Sequence, residues 1–329
     1  MIGLIVRRLL QLPLILAVVY TITLALAWAI PGNPLENPEG RQPPPEVVEA
    51  MKRQYNLDDF WTFYFSYLRS ASGLRYAQET WRGGAVEDDE TAPPPRYVFD
   101  LGPSLHQEDW RVNEIIAGAL PVSVTLGGAA ILIALVVGVG AGIIGAVKPN
   151  SAADLATLTI ALVGISLPNF VIGTLLLLAF PVALGIGSVA SWGRPQDAIL
   201  PAITLSLPFA AYIARLTRMG MIEHLSADFV RTARAKGISE ARVLLRHALK
   251  NAFLPVLSYL GPATAMAMTG SFVVEKVFTV PGLGQHFVTA VLSKDLFLII
   301  GVVLIFATML ILFNLAVDVL YRWADPRIE

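Results

Sequence analysis

The chain has 329 residues, of which 55% are hydrophobic and only 15% are charged. A soluble globular protein of ordinary composition carries about a quarter of charged residues, so this balance argues against one. A formal net charge of −1 argues against a nucleic-acid partner, and the absence of cysteine excludes disulfides, thiol nucleophiles and cysteine-ligated metals.

The charges are missing from six long stretches of the chain. A helix that crosses the hydrocarbon core of a bilayer needs about 20 mostly apolar residues, and soluble cores rarely offer so many such runs. The sequence therefore predicts an all-α membrane protein. The six stretches are Leu9–Ile30, Ile115–Val147, Leu155–Gly193, Ala198–Ala214, Asn251–Val274 and Leu296–Val317.

The first stretch follows Arg7 and Arg8. A cleaved signal peptide is the rival interpretation, because Ala25-Leu26-Ala27 resembles a small-residue cleavage site. The apolar run is longer than the usual 7–15-residue core of a signal peptide. We therefore expect residues 1–30 to form an uncleaved first span that starts in the cytoplasm, where flanking arginines stay.

Residues 31–112 then form a large extracytoplasmic region. It contains a helical pattern at Pro45–Tyr55 and an acidic, proline-rich loop at Gly83–Pro95. Between them, the aromatic run Phe60–Phe65 fits two readings equally, the outer membrane interface or packing against the protein's own helices.

The stretch Leu155–Gly193 is long enough for one helix with an apolar loop or for a hairpin of two. The segment Arg215–Lys250 separates these readings, because it carries eight basic and three acidic residues and such segments stay cytoplasmic. One span in Leu155–Gly193 places it inside. We therefore expect six spans, both termini in the cytoplasm, and residues 113–329 as a five-helix core.

The cytoplasmic segment 223–250 reads as two short helices at an angle. Ser226 or Asp228 can cap the first helix, Gly237 can end it, and Ser239 can cap the second. Such an elbow fits a groove on a partner protein, but a basic helix lying on anionic lipid explains the periodicity equally well.

The run Arg231-Thr232-Ala233-Arg234-Ala235-Lys236-Gly237 closely resembles the cytoplasmic signature loop of ABC-importer permeases, in its oligopeptide and dipeptide branch. Further matching pieces follow the family's order along nearly the whole chain. They are Arg7-Arg8-Leu9-Leu10, Pro31-Gly32-Asn33-Pro34, Asp100-Leu101-Gly102-Pro103-Ser104, Leu120-Pro121-Val122-Ser123, Leu245-Arg246-His247-Ala248-Leu249-Lys250-Asn251, Leu254-Pro255-Val256, Thr269-Gly270-Ser271, Pro281-Gly282-Leu283-Gly284-Gln285, Asn314, Asp318, Tyr321 and Asp325-Pro326-Arg327.

Two features depart from the general pattern of the family. The general motif begins with Glu-Ala-Ala, where this chain has Arg231-Thr232-Ala233, a substitution typical of the peptide branch. The loop between Ser70 and Asp100 is longer than in similar members.

The resemblance implies that the elbow is a coupling helix that docks on a separate ATP-hydrolysing subunit. The chain has no Gly-x-x-x-x-Gly-Lys-Ser/Thr loop, so ATP and Mg belong to that subunit and no cofactor is expected here. It also implies two ATPase copies, a second permease subunit, an extracytoplasmic substrate-binding protein and the bacterial inner membrane. The expected coupling residues are Thr232, Ala233, Arg234, Ala235, Lys236, Gly237, Ile238, Ser239, Glu240 and Arg242.

Two further sets of residues are expected outside the elbow. An outer gate or binding-protein dock is expected at Pro281, Gly282, Leu283, Gly284 and Gln285, with Glu275 and Lys276 before it as interfacial anchors. Candidates for lining the transport pathway are Ser166, Asn169, Ser206 and Tyr212.

The alternatives are less consistent with the sequence. A secondary transporter would carry ionisable residues inside its spans, and the middles of these six have none. A membrane metalloprotease would carry a His-Glu-x-x-His pair, and no metal or nucleophile constellation is present. An ABC permease for another solute, such as nickel or a glycoside, stays open.

Overall fold

A computed structural model describes residues 2–32, 34–35, 44–81, 97–107, 109–269 and 272–324. The loop predicted at Gly83–Pro95 and the motif residues Asn33, Gly270, Ser271 and 325–327 lie outside the described residues. The described residues form helices and no β-strand, as the composition predicts.

The described helices follow one another along the chain. Their bounds are α1 Ile2–Trp28, α2 Pro45–Gln54, α3 Phe60–Ala71, α4 Leu74–Trp81, α5 Val112–Val147, α6 Ala152–Ser166, α7 Asn169–Leu177, α8 Ile199–Leu225, α9 Asp228–Ala235, α10 Glu240–Arg242, α11 Leu249–Ala252, α12 Leu254–Met268, α13 Phe272–Phe278, α14 Leu283–Ser293 and α15 Leu296–Ala324. π-Helical turns at Leu178–Ala183 and Val243–Ala248 continue α7 and join α10 to α11.

Four helices are long and apolar enough to cross a membrane: those within Ile5–Trp28, Val112–Val147, Pro195–Leu225 and Leu296–Leu320. A fifth span is the pair Ala152–Ser166 and Asn169–Ala183, if its two bent halves are counted as one. The remaining predicted span corresponds to α12, which has 15 residues and is apolar but shorter.

The stretch Leu155–Gly193 contains a sharply bent pair of helices, an arrangement found in broken spans and in re-entrant loops. Its two halves meet at an angle of 102°, so they form neither a straight helix nor an antiparallel hairpin. The break falls at Leu167, which takes an extended conformation (φ −84°, ψ 130°) before Pro168. Proline disfavours helical geometry in the residue before it, so this break follows from the sequence.

The chain divides into two compact units. The first comprises Met1–Leu9, Pro121–Gln285 and Met309–Glu329, and the second comprises Leu10–Leu120 and His286–Thr308. These units are interleaved along the chain because α1, α5 and α15 each contribute to both.

Glycines on α5 set the packing of the first unit. A Cβ at Gly138 would lie 2.6 Å from the Ala210 carbonyl oxygen, and one at Gly142 would lie 2.5 Å from Thr217 Cβ. Close helix approach of this kind requires small residues. Gly127 makes an equally tight contact with Ala267 of α12, whereas Gly140 faces open space.

Aromatic side chains hold the second unit together. Phe63 and Tyr67 of α3 are buried and lie against Phe297, while Tyr20 of α1 donates a hydrogen bond to the Tyr64 carbonyl (2.8 Å). Most of the aromatic run therefore packs against the protein's own helices. Trp61 and Phe65 are the exposed members, and their rings stack on each other.

Candidate functional site

The elbow predicted at 223–250 is present, and α9 is its first arm. Neither expected N-cap is used, because Ala227 is the N-cap residue and the Ser226 hydroxyl donates to the Glu223 carbonyl instead. Asp228 occupies the first turn of α9, where a carboxylate is favourable near the helix N-terminus.

The bend is a Schellman motif centred on Gly237. The Gly237 amide donates to the Arg234 carbonyl (2.9 Å) and the Ile238 amide donates to the Ala233 carbonyl (3.3 Å). This geometry needs a residue with positive φ, and Gly237 has φ +72°. The predicted role of Gly237 as a helix terminator is confirmed.

An ion pair closes the elbow across the bend. Arg234 donates two hydrogen bonds to Glu240, at 3.1 and 2.6 Å, and both side chains are substantially exposed. The hydrogen bonds from Arg234 hold the pKa of the Glu240 carboxyl below its usual value. The pair bridges the bend between the two arms, although an exposed ion pair of this kind contributes only about 0–1 kcal/mol.

The second arm begins after Ser239, whose side chain makes no capping hydrogen bond, contrary to expectation. It runs through α10, a π-helical turn and α11 rather than as one uniform helix. Arg242, Arg246 and Lys250 are all exposed along it.

A small hydrophobic core anchors both arms to the first unit. Val230 and Ala233 of α9 are buried together with Val243 and Ala248 of the second arm. The same cluster includes Ala146 at the end of α5, Met221 of α8 and Ala252 of α11. The elbow is thus packed rigidly on the ends of α5 and α8.

The expected coupling residues divide by burial. Ala233 is buried and Ile238 is partly buried, so both belong to the anchor. The others form one exposed, polar surface: Thr232, Arg234, Ala235, Lys236, Gly237, Ser239, Glu240 and Arg242.

A buried ion pair that the sequence did not reveal lies beside the elbow's anchor. Arg218 of α8 donates to both carboxylate oxygens of Asp154, at 2.6 and 2.7 Å, and Asp154 is almost fully buried at the start of α6. The Asn150 amide supplies a third donor (2.8 Å). Bidentate pairing of this kind fixes orientation as well as distance, so α6 and α8 are held in register.

The predicted outer gate wraps a buried carboxylate. Glu275 of α13 is fully buried, and it accepts hydrogen bonds from the Ser123 hydroxyl (2.8 Å) and the Gln285 amide (3.0 Å). The Ser123 oxygen in turn accepts the Leu283 amide (2.8 Å). Burial raises the pKa of the Glu275 carboxyl, and these donors oppose that rise. Glu275 is therefore not an interfacial anchor, while Lys276 is exposed.

The two glycines of the gate segment are explained by this carboxylate. A Cβ at Gly282 would lie 2.5 Å from the Glu275 carboxylate, and one at Gly284 would lie 2.9 Å from the Phe272 backbone. Gly282, Leu283 and Gly284 are buried, Gln285 is partly buried and Pro281 is exposed. Most of this segment is buried within the chain, and its role as an outer gate or binding-protein dock stays a prediction.

The four pathway candidates differ in exposure. Ser166 and Tyr212 are exposed, and Asn169 is partly exposed at the start of α7. Ser206 is buried, and its hydroxyl donates to the Ile203 carbonyl (2.8 Å) of its own helix.

The described residues contain no group of three or more His, Asp or Glu that could hold a metal ion.

Sequence reasoning missed Glu275, Ser123, Asp154 and Arg218 as partners. One signal was available for Glu275, because it directly follows the charge-free stretch that ends at Val274. An ionisable residue at the edge of a membrane-spanning stretch often has a functional or structural partner. Its partner Ser123 is 152 residues away in the sequence, and no local pattern connects the two.

Comparison with known proteins agrees with this geometry. The model of the family "Binding-protein-dependent transport system inner membrane component" matches residues 138–329, and the corresponding N-terminal model matches residues 1–127. The oligopeptide transport system permease protein OppB of Salmonella typhimurium is 39% identical over 333 residues, covering 100% of both chains. The dipeptide transport system permease protein DppB of Bacillus subtilis is 35% identical, covering 98% of this chain and 97% of its own.

A solved structure supports the fold. A chain of the MetNI methionine ABC transporter in an inward-facing conformation aligns with a TM-score of 0.51 and 15% identity, covering 64% of this chain and 97% of its own. The exposed elbow, the all-helical architecture and the full-length matches together show that the chain belongs to the family of binding-protein-dependent transport system inner membrane components.

Proposed function

We propose that the chain is a permease subunit of an ATP-driven, binding-protein-dependent importer of oligopeptides or dipeptides in the bacterial inner membrane. OppB and DppB, which are named for these substrates, are similar to it over nearly its whole length. The chain itself is non-catalytic and forms half of the translocation pathway beside a second, related permease.

The observation that carries the proposal is the elbow. Its exposed polar surface carries the Arg234–Glu240 pair, and its buried side is anchored on the ends of α5 and α8. A rigid, solvent-facing segment of this kind transmits the movement of a bound partner protein to the helices on which it is packed. Two ATPase subunits, which bind ATP and Mg, supply that movement when they close.

The topology that fits this role has six spans: α1, α5, the bent pair α6–α7, α8, α12 and α15. Both termini and the elbow then lie in the cytoplasm. Residues 31–112 and the Glu275 turn lie outside, where the turn forms part of the outer gate and a separate binding protein delivers peptide.

The test is isolation of the chain from native membranes, with identification of the co-purifying proteins, followed by uptake assays in reconstituted vesicles. Two ATPase copies, a second permease and ATP-dependent uptake of labelled peptide are expected. ATP-dependent uptake of nickel or a glycoside in place of peptide would overturn the substrate, and isolation without an ATPase would overturn the class.

A further inference from the structure

Two helices of the first unit, α8 and α12, carry an exposed face that combines tyrosine, proline, methionine and polar side chains. We name it the tyrosine face. Its residues recur at helical spacing along α8 and α12 and are exposed or partly exposed. They are Pro208, Tyr212, Arg215 and Met219 of α8 and Pro255, Ser258, Tyr259, Pro262 and Met266 of α12.

An aromatic pair lies at the centre of the tyrosine face. The rings of Tyr212 and Tyr259 have centroids 4.4 Å apart and are tilted by 37°. Tyr212 is 42% exposed, and among the described residues neither hydroxyl has a hydrogen-bond partner. Two phenol groups are thus available to a molecule that contacts this face.

A backbone carbonyl adds to the polarity of the face. Pro262 has no N–H, so the carbonyl of Ser258, four residues earlier, loses its usual helical donor. In lipid such a carbonyl needs another partner, and a water-filled cavity or a bound polar molecule supplies one.

The opposite side of α12 is buried, which fixes the direction of the face. A Cβ at Gly261 would lie 2.9 Å from Asn314 Oδ1 of α15. The exposed faces of α5 and α6 provide the contrast, since they present plain aliphatic side chains suited to lipid. These include Leu132, Val136, Leu155, Ile160 and Leu162.

We propose that the tyrosine face lines the peptide's route and contacts the peptide backbone, an inference that rests on the proposed function. Tyrosine hydroxyls donate to peptide carbonyls, and the Ser258 carbonyl, which receives no hydrogen bond from Pro262, accepts a peptide N–H. The rings and Met266 pack against side chains without selecting one residue type. Arg215, about one helical turn beyond Tyr212, is placed to pair with the peptide's terminal carboxylate.

The absence of native cysteine in this chain allows a direct test. Single variants Tyr259→Cys and Met266→Cys are prepared in the complete transporter, with Ile160→Cys as the lipid-facing control (Ile160 is 69% exposed). A charged, membrane-impermeant thiol reagent is applied to inside-out and right-side-out vesicles. We expect both tyrosine-face thiols to react about tenfold faster than the control from at least one side, because only water-exposed thiolates are reachable.

Peptide is then added to test the contact itself. A transported peptide is expected to slow modification of the Tyr259→Cys thiol at least about threefold and to leave Ile160→Cys unchanged. Separately, Tyr259→Phe and Tyr212→Phe keep the rings, and each is expected to raise the KM for peptide uptake about two- to tenfold through loss of one hydrogen bond.

The outcomes separate this inference from the function on which it rests. If the wild-type transporter takes up peptide while the tyrosine-face thiols react no faster than Ile160→Cys, the inference is overturned and the proposed function stands. Cross-linking of the Tyr259→Cys thiol to a helix of another subunit during turnover also overturns it, because the face is then a subunit interface. If the wild type takes up no peptide, the proposed function itself fails.

Discussion

At the scale of single residues, the buried carboxylate of Glu275 depends strongly on the hydrogen-bond donors that surround it. It has no cationic partner among the described residues and is held by neutral donors from Ser123 and from the backbone amides of Gly284 and Gln285. A buried charge is tolerated only when it is well hydrogen-bonded. These donors satisfy the buried carboxyl group, and the Ser123 contact ties the end of α13 to α5.

Substitution of Glu275 tests this arrangement. Glu275→Ala leaves the Ser123 hydroxyl and the surrounding amides without an acceptor, and each buried unpaired group costs about 1–3 kcal/mol. We expect a clear fall in the melting temperature of the purified protein and loss of uptake. Glu275→Gln keeps the shape but directs an NH2 group at one of these donors, so an intermediate loss is expected.

Ser123→Ala is the matched control, because it removes one donor to Glu275 and leaves only the Leu283 amide unpaired. A loss of about 1–3 kcal/mol, smaller than that of Glu275→Ala, is expected. Equal stability of Glu275→Ala and the wild type would show that the carboxylate holds nothing together.

At the scale of helices, several of the described helices end in a left-handed residue, and three of these ends allow a direct comparison. The turn residue is Gly237 after α9, Thr279 after α13 and Lys294 after α14, with φ of +72°, +55° and +62°. Only glycine takes this conformation without steric cost. Comparing substitutions at these positions separates the cost of the left-handed backbone conformation from the contribution of contacts with neighbouring residues.

Gly237 has open space around its missing Cβ, so its substitution acts through the backbone alone. Gly237→Val should cost at least the roughly 1–2 kcal/mol of a left-handed residue and distort the elbow, whereas Gly237→Asn should cost less. We expect the valine variant to insert into the membrane yet lose the coupling between ATP hydrolysis and uptake in reconstituted vesicles. Normal coupled transport by the valine variant would rule out the elbow as the coupling element.

Thr279 gives the opposite prediction. It is β-branched and exposed in a left-handed conformation, with its turn closed by the Val280 amide on the Glu275 carbonyl (2.8 Å). Thr279→Gly removes steric strain of about 1–2 kcal/mol, partly offset by the entropy of glycine in the unfolded chain. We expect a higher melting temperature; a Thr279→Gly variant that melts earlier would show that the threonine side chain stabilises the turn.

These helix ends show which local features of the fold can be predicted from the sequence and which cannot. The terminator at Gly237 and the break before Pro168 were predictable, because each depends on a local property of glycine or proline. The left-handed Thr279 was not, because threonine disfavours that conformation and tertiary contacts impose it. The cap expected at Ser226 is wrong by one residue, because α9 has Ala227 at its N-cap. Ser239 does occupy the predicted N-cap position of the second arm, but its side chain makes no capping hydrogen bond.

At the scale of the whole molecule, contacts between residues far apart in the chain are the features that could not be predicted from the sequence. Charge-free stretches predicted apolar helices, and basic residues predicted the exposed elbow. The links Ser123–Glu275 and Asp154–Arg218 join residues 152 and 64 positions apart, so no periodicity reveals them. The first link joins α5 to α13 and the second joins α6 to α8.

The sidedness of the membrane is the last property that the mechanism needs. The elbow must face the compartment that supplies ATP, and residues 31–112 must face the other side. Single variants Glu223→Cys, beside the elbow, and Ala77→Cys, on α4, both place a thiol at an exposed position in a chain without native cysteine. In intact spheroplasts, a membrane-impermeant maleimide is expected to label Ala77→Cys and to label Glu223→Cys only after permeabilisation. Labelling of Glu223→Cys from outside would place the basic segment on the wrong side for an ATPase partner, because no coupling contact forms across the bilayer, and the six-span arrangement would then have to be replaced.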